Sequence, residues 1–221
     1  MAKQSPGVLA ILILNAIVFV GQQLDPAITN RFAMSPIAIA SGDWWRLFTP
    51  MIVHSTDFAL HIIMNSLVLF IFGPAVERAF GTARFIVMYV ICGFVGSVAS
   101  YMFSPPLIRG VGASGAIFGI AGVLLVYLFN RRTSSLVYSE MRNVLFFIGF
   151  NLLLGFAISG IDYWAHIGGL LAGMALGFGF DNEGRSVEAM PVQIATSIAV
   201  LAVGLGVALY RTSDLGGSLF G

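Results

Sequence analysis

Seven long apolar stretches, separated by short polar breaks, constrain this chain more than any other feature of its sequence. A helix that crosses a lipid bilayer needs roughly 17–25 mostly apolar residues, and each stretch has about that length. The stretches are continuously apolar and rich in glycine, whereas strands of a membrane β-barrel alternate apolar and polar residues. We therefore predict an all-α membrane protein. The predicted spans cover approximately 6–24, 58–76, 85–103, 113–130, 143–160, 164–180 and 190–210.

The composition points to the same class of protein. Hydrophobic residues make up 58% of the chain and charged residues 10%, where a soluble domain carries about 25% charged residues. So few charges cannot cover that much apolar surface in water, which argues against a soluble enzyme, a disordered chain and a nucleic-acid-binding protein. The single cysteine, Cys92, lies inside an apolar run and excludes a disulfide framework or a cysteine-based zinc site.

The distribution of lysine and arginine predicts the orientation in the membrane. With a cytoplasmic N-terminus, most of these residues fall on the cytoplasmic side, which is the usual bias of membrane proteins. The bias is strongest at Arg131 and Arg132. Seven spans then place the C-terminus on the opposite side.

Polar side chains at membrane depth are costly, so each is a functional candidate. His61 and Asn65 lie four residues apart in the second span, which places them on one face of a helix. Both offer N–H donors, and two fixed donors aimed at one point suit a developing oxyanion. The alternative is that the two side chains form hydrogen bonds between neighbouring helices.

Ser114 lies among small residues where a loop becomes the fourth span. Gly112 and Gly115 flank it and expose its hydroxyl, which needs an adjacent base, most often histidine, to act as a nucleophile. Serine also caps helices, and Gly115 with Gly119 forms a packing face that is common in membranes. A structural role for Ser114 therefore stays open at this point.

His166 begins a second glycine face, formed by Gly169 and Gly173. If the two glycine faces pack together, His166 and Ser114 come to the same depth, because both spans start from the same side. We predict a Ser–His dyad without a carboxylate, with the imidazole held against the ring of Phe118. Three histidines without acidic partners make a poor metal site, so we expect no metal or other cofactor.

These motifs together resemble the rhomboid family of intramembrane serine proteases over roughly Trp44 to Asp181. Five patterns occur in the family's order, which is a specific signal. They are Trp45-Arg46, His61-x-x-x-Asn65, the stretch Gly73…Glu77-Arg78…Gly81, Gly112-Ala113-Ser114-Gly115 and Ala165-His166-x-x-Gly169-x-x-x-Gly173.

The resemblance implies a role for each of these residues. Ser114 would be the nucleophile and His166 the general base. The oxyanion hole would consist of His61, Asn65 and the backbone N–H of Ser114. The remaining matched residues would support the site. Those in the first loop would be structural, and Glu77 with Arg78 would tie the cytoplasmic side together. They are Gly112, Gly115, Phe118, Gly169, Gly173, Trp45, Arg46, Glu77 and Arg78.

The resemblance also implies a six-helix core over 1–181, followed by a linker, a seventh helix and a short tail over 182–221. Three features depart from the usual pattern. Phe118 stands where many members carry tyrosine, His54 is separated from His61 by an unusually long gap, and the seventh span is present only in some members. The architecture resembles the bacterial type of the family, which implies that the protein lies in the bacterial inner membrane.

The expected function is hydrolysis of a peptide bond in or beside a membrane-spanning segment of another protein. Substrates would be single-span or polytopic proteins in the lipid bilayer, with helices weakened by glycine or proline; we expect no nucleic-acid partner. A non-catalytic relative that binds membrane proteins or acts in quality control would lack the nucleophile or the base. A transporter or channel would carry charged residues inside its spans, and the predicted spans have none.

Overall fold

Helices dominate the computed structural model, which describes residues 5–158, 160–181 and 188–220. Two short 3-10 turns, Trp44–Leu47 and Thr49–Ile52, lie in the first long loop. The described residues contain no strand, only an isolated bridge between Met34 and Gly110, so the all-α prediction is confirmed. The helices are α1 (Pro6–Leu24), α2 (Ala27–Phe32), α3 (Pro36–Ala40), α4 (Leu60–Phe80), α5 (Thr82–Phe103), α6 (Ser114–Asn130), α7 (Ser135–Ala157), α8 (Tyr163–Phe180) and α9 (Met190–Phe220).

A long helix occurs at each of the seven predicted spans. By length and apolar composition alone, five of them could cross a membrane, namely α1, α4, α5, α7 and α9. Helix α6 has 17 residues and α8 has 18, close to the shortest length that crosses a bilayer. Most residues of α6 are buried, because the other helices surround it.

Several helices end elsewhere than the apolar stretches predict. The second span was expected at 58–76, but α4 continues to Phe80, because Glu77 turns its carboxylate into the protein instead of breaking the helix. The fifth was expected at 143–160, but α7 starts at Ser135, where the Ser134 hydroxyl accepts a hydrogen bond from Val137 N. Polar residues can extend a helix beyond its apolar run, so hydropathy alone misplaces such ends. Further shifts occur at α5, which starts at Thr82, at α7, which ends at Ala157, and at α9, which runs to Phe220.

The segment between α1 and α4 is held by backbone contacts that its sequence did not predict. The guanidinium of Arg46 donates to the carbonyls of Asn30 (2.8 Å) and Ala33 (2.9 Å). Met34 exchanges two backbone hydrogen bonds with Gly110, of 2.9 and 3.1 Å. This long loop is therefore fixed to the short loop that precedes α6.

Helix α9 is packed into the fold along α5 and α8, and it also reaches α3. Near its C-terminal end, the Tyr101 hydroxyl of α5 lies 2.9 Å from the hydroxyl of Thr212. An apolar cluster at this end of the bundle joins α9 to α5 and to the first long loop. Its buried members are Met34, Ile39, Leu47, Phe94, Val98, Tyr101, Ala208 and Leu215.

Glu77 anchors the start of α1. Its carboxylate accepts hydrogen bonds from the backbone N–H groups of Gly7 (2.8 Å) and Val8 (2.9 Å) and from the Thr82 hydroxyl (2.7 Å). The first N–H groups of a helix have no intrahelical partner and carry partial positive charge, so a buried carboxylate is a favourable acceptor. Glu77 thereby joins three helices at one end of the bundle.

We expect Glu77→Gln to lower the free energy of unfolding by about 1.5–3 kcal/mol, the usual contribution of a hydrogen bond to a charged group. The amide replaces one acceptor oxygen with a donor that faces backbone N–H groups. Unfolding in mixed detergent micelles would measure the loss. The control is Glu140→Gln at an exposed carboxylate of α7, and equal effects of the two variants would contradict this role of Glu77.

Candidate active site

Ser114 is the first residue of α6 and is half-buried. The loop before it needs glycine, because Gly112 has a φ of +122°, a backbone conformation that residues with a side chain rarely adopt. Gly112 N donates to the carbonyl of Pro50 at 2.9 Å. A Cβ atom at Gly112 would lie 2.7 Å from His61 Nε2 and 3.9 Å from Ser114 Oγ. The imidazole and the hydroxyl therefore both lie beside Gly112, where any side chain would clash with His61.

The two glycine faces pack directly against each other. A Cβ atom at Gly169 would lie 1.9 Å from the carbonyl oxygen of Gly115, and one at Gly173 would lie 1.9 Å from that of Gly119. No side chain fits at such distances, so the backbones of α6 and α8 are in contact. This contact brings the first turns of α6 and α8 together.

His166 lies in the first turn of α8 and is buried. Its ring is stacked on that of Phe118, with ring centres 4.2 Å apart and planes 7° from parallel. A Cβ atom at Gly115 would lie 3.2 Å from the carbonyl oxygen of Ala165. The residue after Ser114 therefore touches the residue before His166. His166 Nδ1 has no hydrogen-bond partner among the described residues.

Asn65 lies one turn below His61 on α4 and is buried. Its Nδ2 donates to the carbonyl of His61 at 2.8 Å, while its buried Oδ1 has no partner in the described part of the chain. An amide nitrogen carries two N–H groups, so one remains for another acceptor. Asn65 thus shares the α4 face of His61, as the spacing predicts, and one of its donors is used within the helix.

His54 lies in the loop before α4, fully buried, with its ring edge-on to that of His61 and ring centres 5.4 Å apart. Burial, and to a lesser extent the proximity of His61, lowers the pKa of His54 to about 3. The ring is therefore uncharged at neutral pH. Despite the long gap in sequence, His54 contacts the site.

Asp162 lies beside the site, and the sequence analysis did not single it out. One carboxylate oxygen caps α8 by accepting from Ala165 N at 3.0 Å, and the other accepts from the Ser100 hydroxyl of α5. Burial raises the pKa of Asp162, and these hydrogen bonds oppose the rise. Aspartate is a preferred residue at the N-cap of a helix, and Asp162 just before the sixth apolar stretch could have indicated its bond to Ala165.

A small cavity opens beside Ser114 between α5 and the starts of α6 and α8. Glycine and alanine backbones form much of its wall, Met34 and Met51 border it, and Ser97, Ser100 and Asp162 add polar groups. Among the described residues, no group of three or more His, Cys, Asp or Glu side chains is placed to hold a metal ion.

The Trp45-Arg46 and Glu77-Arg78 motifs lie outside this cluster. Trp45 is half-exposed, and its indole N–H lies 3.4 Å from the carbonyl of Arg31. Arg46 forms an ion pair with Asp43 at 2.8 Å in addition to its carbonyl contacts. Glu77 accepts from α1 at the opposite end of the bundle from Ser114, and the Arg78 side chain is exposed beside it.

The fold defines a helical, multi-pass integral membrane protein. The Rhomboid domain family model matches residues 41–183, which is more than half of the chain. The chain belongs to the rhomboid family.

Similar proteins span bacteria and plants. Rhomboid protease GluP of Bacillus subtilis (strain 168) is 39% identical over 175 residues, which cover 78% of this chain and 32% of that protein. Putative rhomboid protease YdcA of the same organism is 38% identical over 143 residues, which cover 64% of this chain and 70% of that protein. RHOMBOID-like protein 6, mitochondrial, of Arabidopsis thaliana is 38% identical over 144 residues, which cover 63% of this chain and 45% of that protein. The chain therefore matches about a third of GluP and less than half of the plant protein.

The contact between the glycine faces gives a stability prediction. Gly169→Ala would place a methyl group against the backbone oxygen of Gly115, which can move only if α6 and α8 separate. We expect the free energy of unfolding to fall by about 1–3 kcal/mol or more, as for other overpacked sites. Thermal unfolding in detergent would measure the change.

Gly149→Ala on α7 is the matched control, because a Cβ atom there meets no atom within 4 Å. Alanine favours helix formation over glycine by about 1 kcal/mol, so this variant should be neutral or slightly more stable. A Gly169→Ala protein as stable as the wild type would contradict the close contact of α6 and α8.

Proposed function

We propose that the chain is an intramembrane serine endopeptidase that uses Ser114 as nucleophile and His166 as general base. The observation that carries this proposal is the packing of Ser114 between two elements: its neighbour Gly112 lies against His61 of α4, and its neighbour Gly115 lies against Ala165, the residue before His166. Relatives named rhomboid proteases support the reaction class.

In the proposed reaction, Ser114 Oγ attacks the carbonyl carbon of a substrate peptide bond and transfers its proton to His166. His166 then gives that proton to the leaving amine, and water hydrolyses the acyl-enzyme by the same steps. The carbonyl oxygen becomes an oxyanion near Gly112. Its proposed donors are His61 Nε2–H, the free N–H of Asn65 and the backbone N–H of Ser114.

The proposed substrates are membrane-spanning segments of other proteins. A peptide bond in an intact helix is shielded by its neighbours and hydrogen-bonded, so the segment must unwind before Ser114 can reach it. Glycine or proline near the cleavage point would make unwinding easier. The small cavity beside Ser114 favours a small side chain at the residue whose carbonyl is attacked.

We further propose that the N-terminus is cytoplasmic and that the protein lies in a bacterial inner membrane. The helices α4, α6 and α8 would then begin on the outer side, and the site would open toward external water. Arg131 and Arg132, at the other end of α6, would face the cytoplasm, in line with the usual charge bias.

The test of the proposed function compares wild type with Ser114→Ala and His166→Ala on a panel of single-span substrates in detergent. Each change should lower cleavage by about 10⁴-fold or more, because the two residues act as one unit. Unfolding temperatures of the variants serve as the control for folding. Cleavage that persists in a folded Ser114→Ala protein would contradict the assignment.

The ring of Phe118 gives a second prediction. Phe118→Ala removes the surface on which His166 is stacked, and we expect kcat to fall by about tenfold or more from loss of orientation. Phe118→Tyr keeps an aromatic face and should retain most of the activity. Equal activity of the alanine and tyrosine variants would show that the stacked ring does not position His166.

A further inference from the structure

Gln22, near the end of α1, lies outside every motif that indicated function. It is fully buried, and its side-chain amide pairs with the backbone of His54 in both directions. Gln22 Nε2 donates to His54 O at 2.8 Å, and His54 N donates to Gln22 Oε1 at 3.0 Å. Nε2 also lies 2.7 Å from the Thr29 hydroxyl. Two bonds to one residue fix the orientation of the adjoining peptide groups as well as the position of the loop.

The next backbone N–H along the chain is that of Ser55, and it donates to Nδ1 of His61 at 3.3 Å. A neutral imidazole has one protonated and one unprotonated nitrogen. A nitrogen that accepts a hydrogen bond is the unprotonated one. The proton of neutral His61 therefore lies on Nε2.

His61 Nε2 is also the nitrogen that faces the volume beside Gly112 in which the proposed oxyanion forms, since it is the atom closest to a Cβ position at Gly112. With the proton on Nε2, His61 presents a donor to that volume. With the proton on Nδ1, it would present a lone pair, which repels a developing negative charge. The choice of tautomer thus decides whether His61 helps or hinders the reaction.

We propose that Gln22 is a positioning residue, which holds the His54–Ser55 backbone so that the Ser55 N–H fixes His61 as its Nε2–H tautomer. The inference rests on the proposed function, in which His61 is an oxyanion donor. The His54 ring does not supply this bond, because neither of its nitrogens has a hydrogen-bond partner among the described residues. The backbone of His54 matters here, whereas its side chain fills space beside His61.

The first arm of the test reads the tautomer directly, without substrate. The chain has three histidines, so ¹⁵N-histidine labelling gives three imidazole patterns, which His54→Phe and His166→Ala variants assign. We expect His61 in the wild type to show a protonated Nε2 and an unprotonated, hydrogen-bonded Nδ1. A wild-type His61 protonated on Nδ1 would overturn the proposal, whatever the variants do.

The second arm removes the donor or its support. Ser55→Pro deletes the N–H, whereas Ser55→Ala keeps it and should keep the wild-type tautomer. Gln22→Met removes both bonds to His54 at similar size, and Gln23→Met at the neighbouring exposed position is its control. We expect a mixture of His61 tautomers in Ser55→Pro and Gln22→Met, and the single Nε2–H form in both controls.

The third arm measures cleavage of a single-span substrate by the same proteins. Loss of one oxyanion donor lowers kcat by about 10²–10³-fold, so a partial loss should lower it by about tenfold in Gln22→Met and more in Ser55→Pro. KM should change by less than about twofold, because the bond acts only in the transition state. A mixed tautomer with unchanged kcat would overturn the positioning role, as would an unchanged tautomer in Ser55→Pro.

These outcomes are separate from failure of the proposed function. If the enzyme cleaves but Ser114→Ala cleaves equally well, the protease mechanism fails while the tautomer of His61 can still be read. If Ser114→Ala is inactive and His61 is protonated on Nδ1, the mechanism stands and the role of Gln22 fails.

Discussion

The direct contact between the backbones of α6 and α8 is the constraint on which the site depends. Glycines at 115, 119, 169 and 173 let the two helices approach until carbonyl oxygens occupy the space where side chains would lie. Without a hydrophobic driving force between helices in lipid, such close van der Waals contact is a main source of helix association. Because Ser114 and His166 stand at the first turns of these helices, the same contact that stabilises the bundle assembles the proposed dyad.

Buried polar groups in this protein are held largely by backbone partners. Glu77 accepts from the start of α1, Asp162 caps α8, Arg46 donates to two carbonyls of the first long loop, and Gln22 pairs with His54. A polar side chain that finds no partner in an apolar environment costs several kcal/mol, so these bonds are strongly specified. Each joins a helix end or a loop to another element, so they fix the loops relative to the helices that bear the site.

The sequence predicts the parts of this structure that depend on local pattern. The apolar stretches give the seven long helices, the spacing of His61 and Asn65 gives their shared face, and the two glycine faces indicate that α6 and α8 pack together. Patterns of this kind are set by residues near one another in the chain. The same reasoning predicts Ser114 and His166 at one depth, and in the structure their neighbours Gly115 and Ala165 pack against each other.

What the sequence does not predict depends on distant partners. Nothing near Gln22 indicates that it pairs with a residue 32 positions away, and nothing near Glu77 indicates that it caps α1. The short helices α2 and α3 lack a periodic apolar pattern, and their place follows from Arg46 and from the pairing of Met34 with Gly110. Helix ends are misplaced for a related reason, since a buried acid such as Glu77 resembles an exposed one in sequence.

The proposed mechanism requires that the contact of α6 with α8 makes Ser114 a reactive nucleophile. The most direct measurement is the reaction of the purified protein with a fluorophosphonate, followed by intact mass and peptide mapping. We expect one adduct, on Ser114, and none in His166→Ala within the same time. An adduct on another residue, or equal labelling of Ser114 with and without His166, would contradict it.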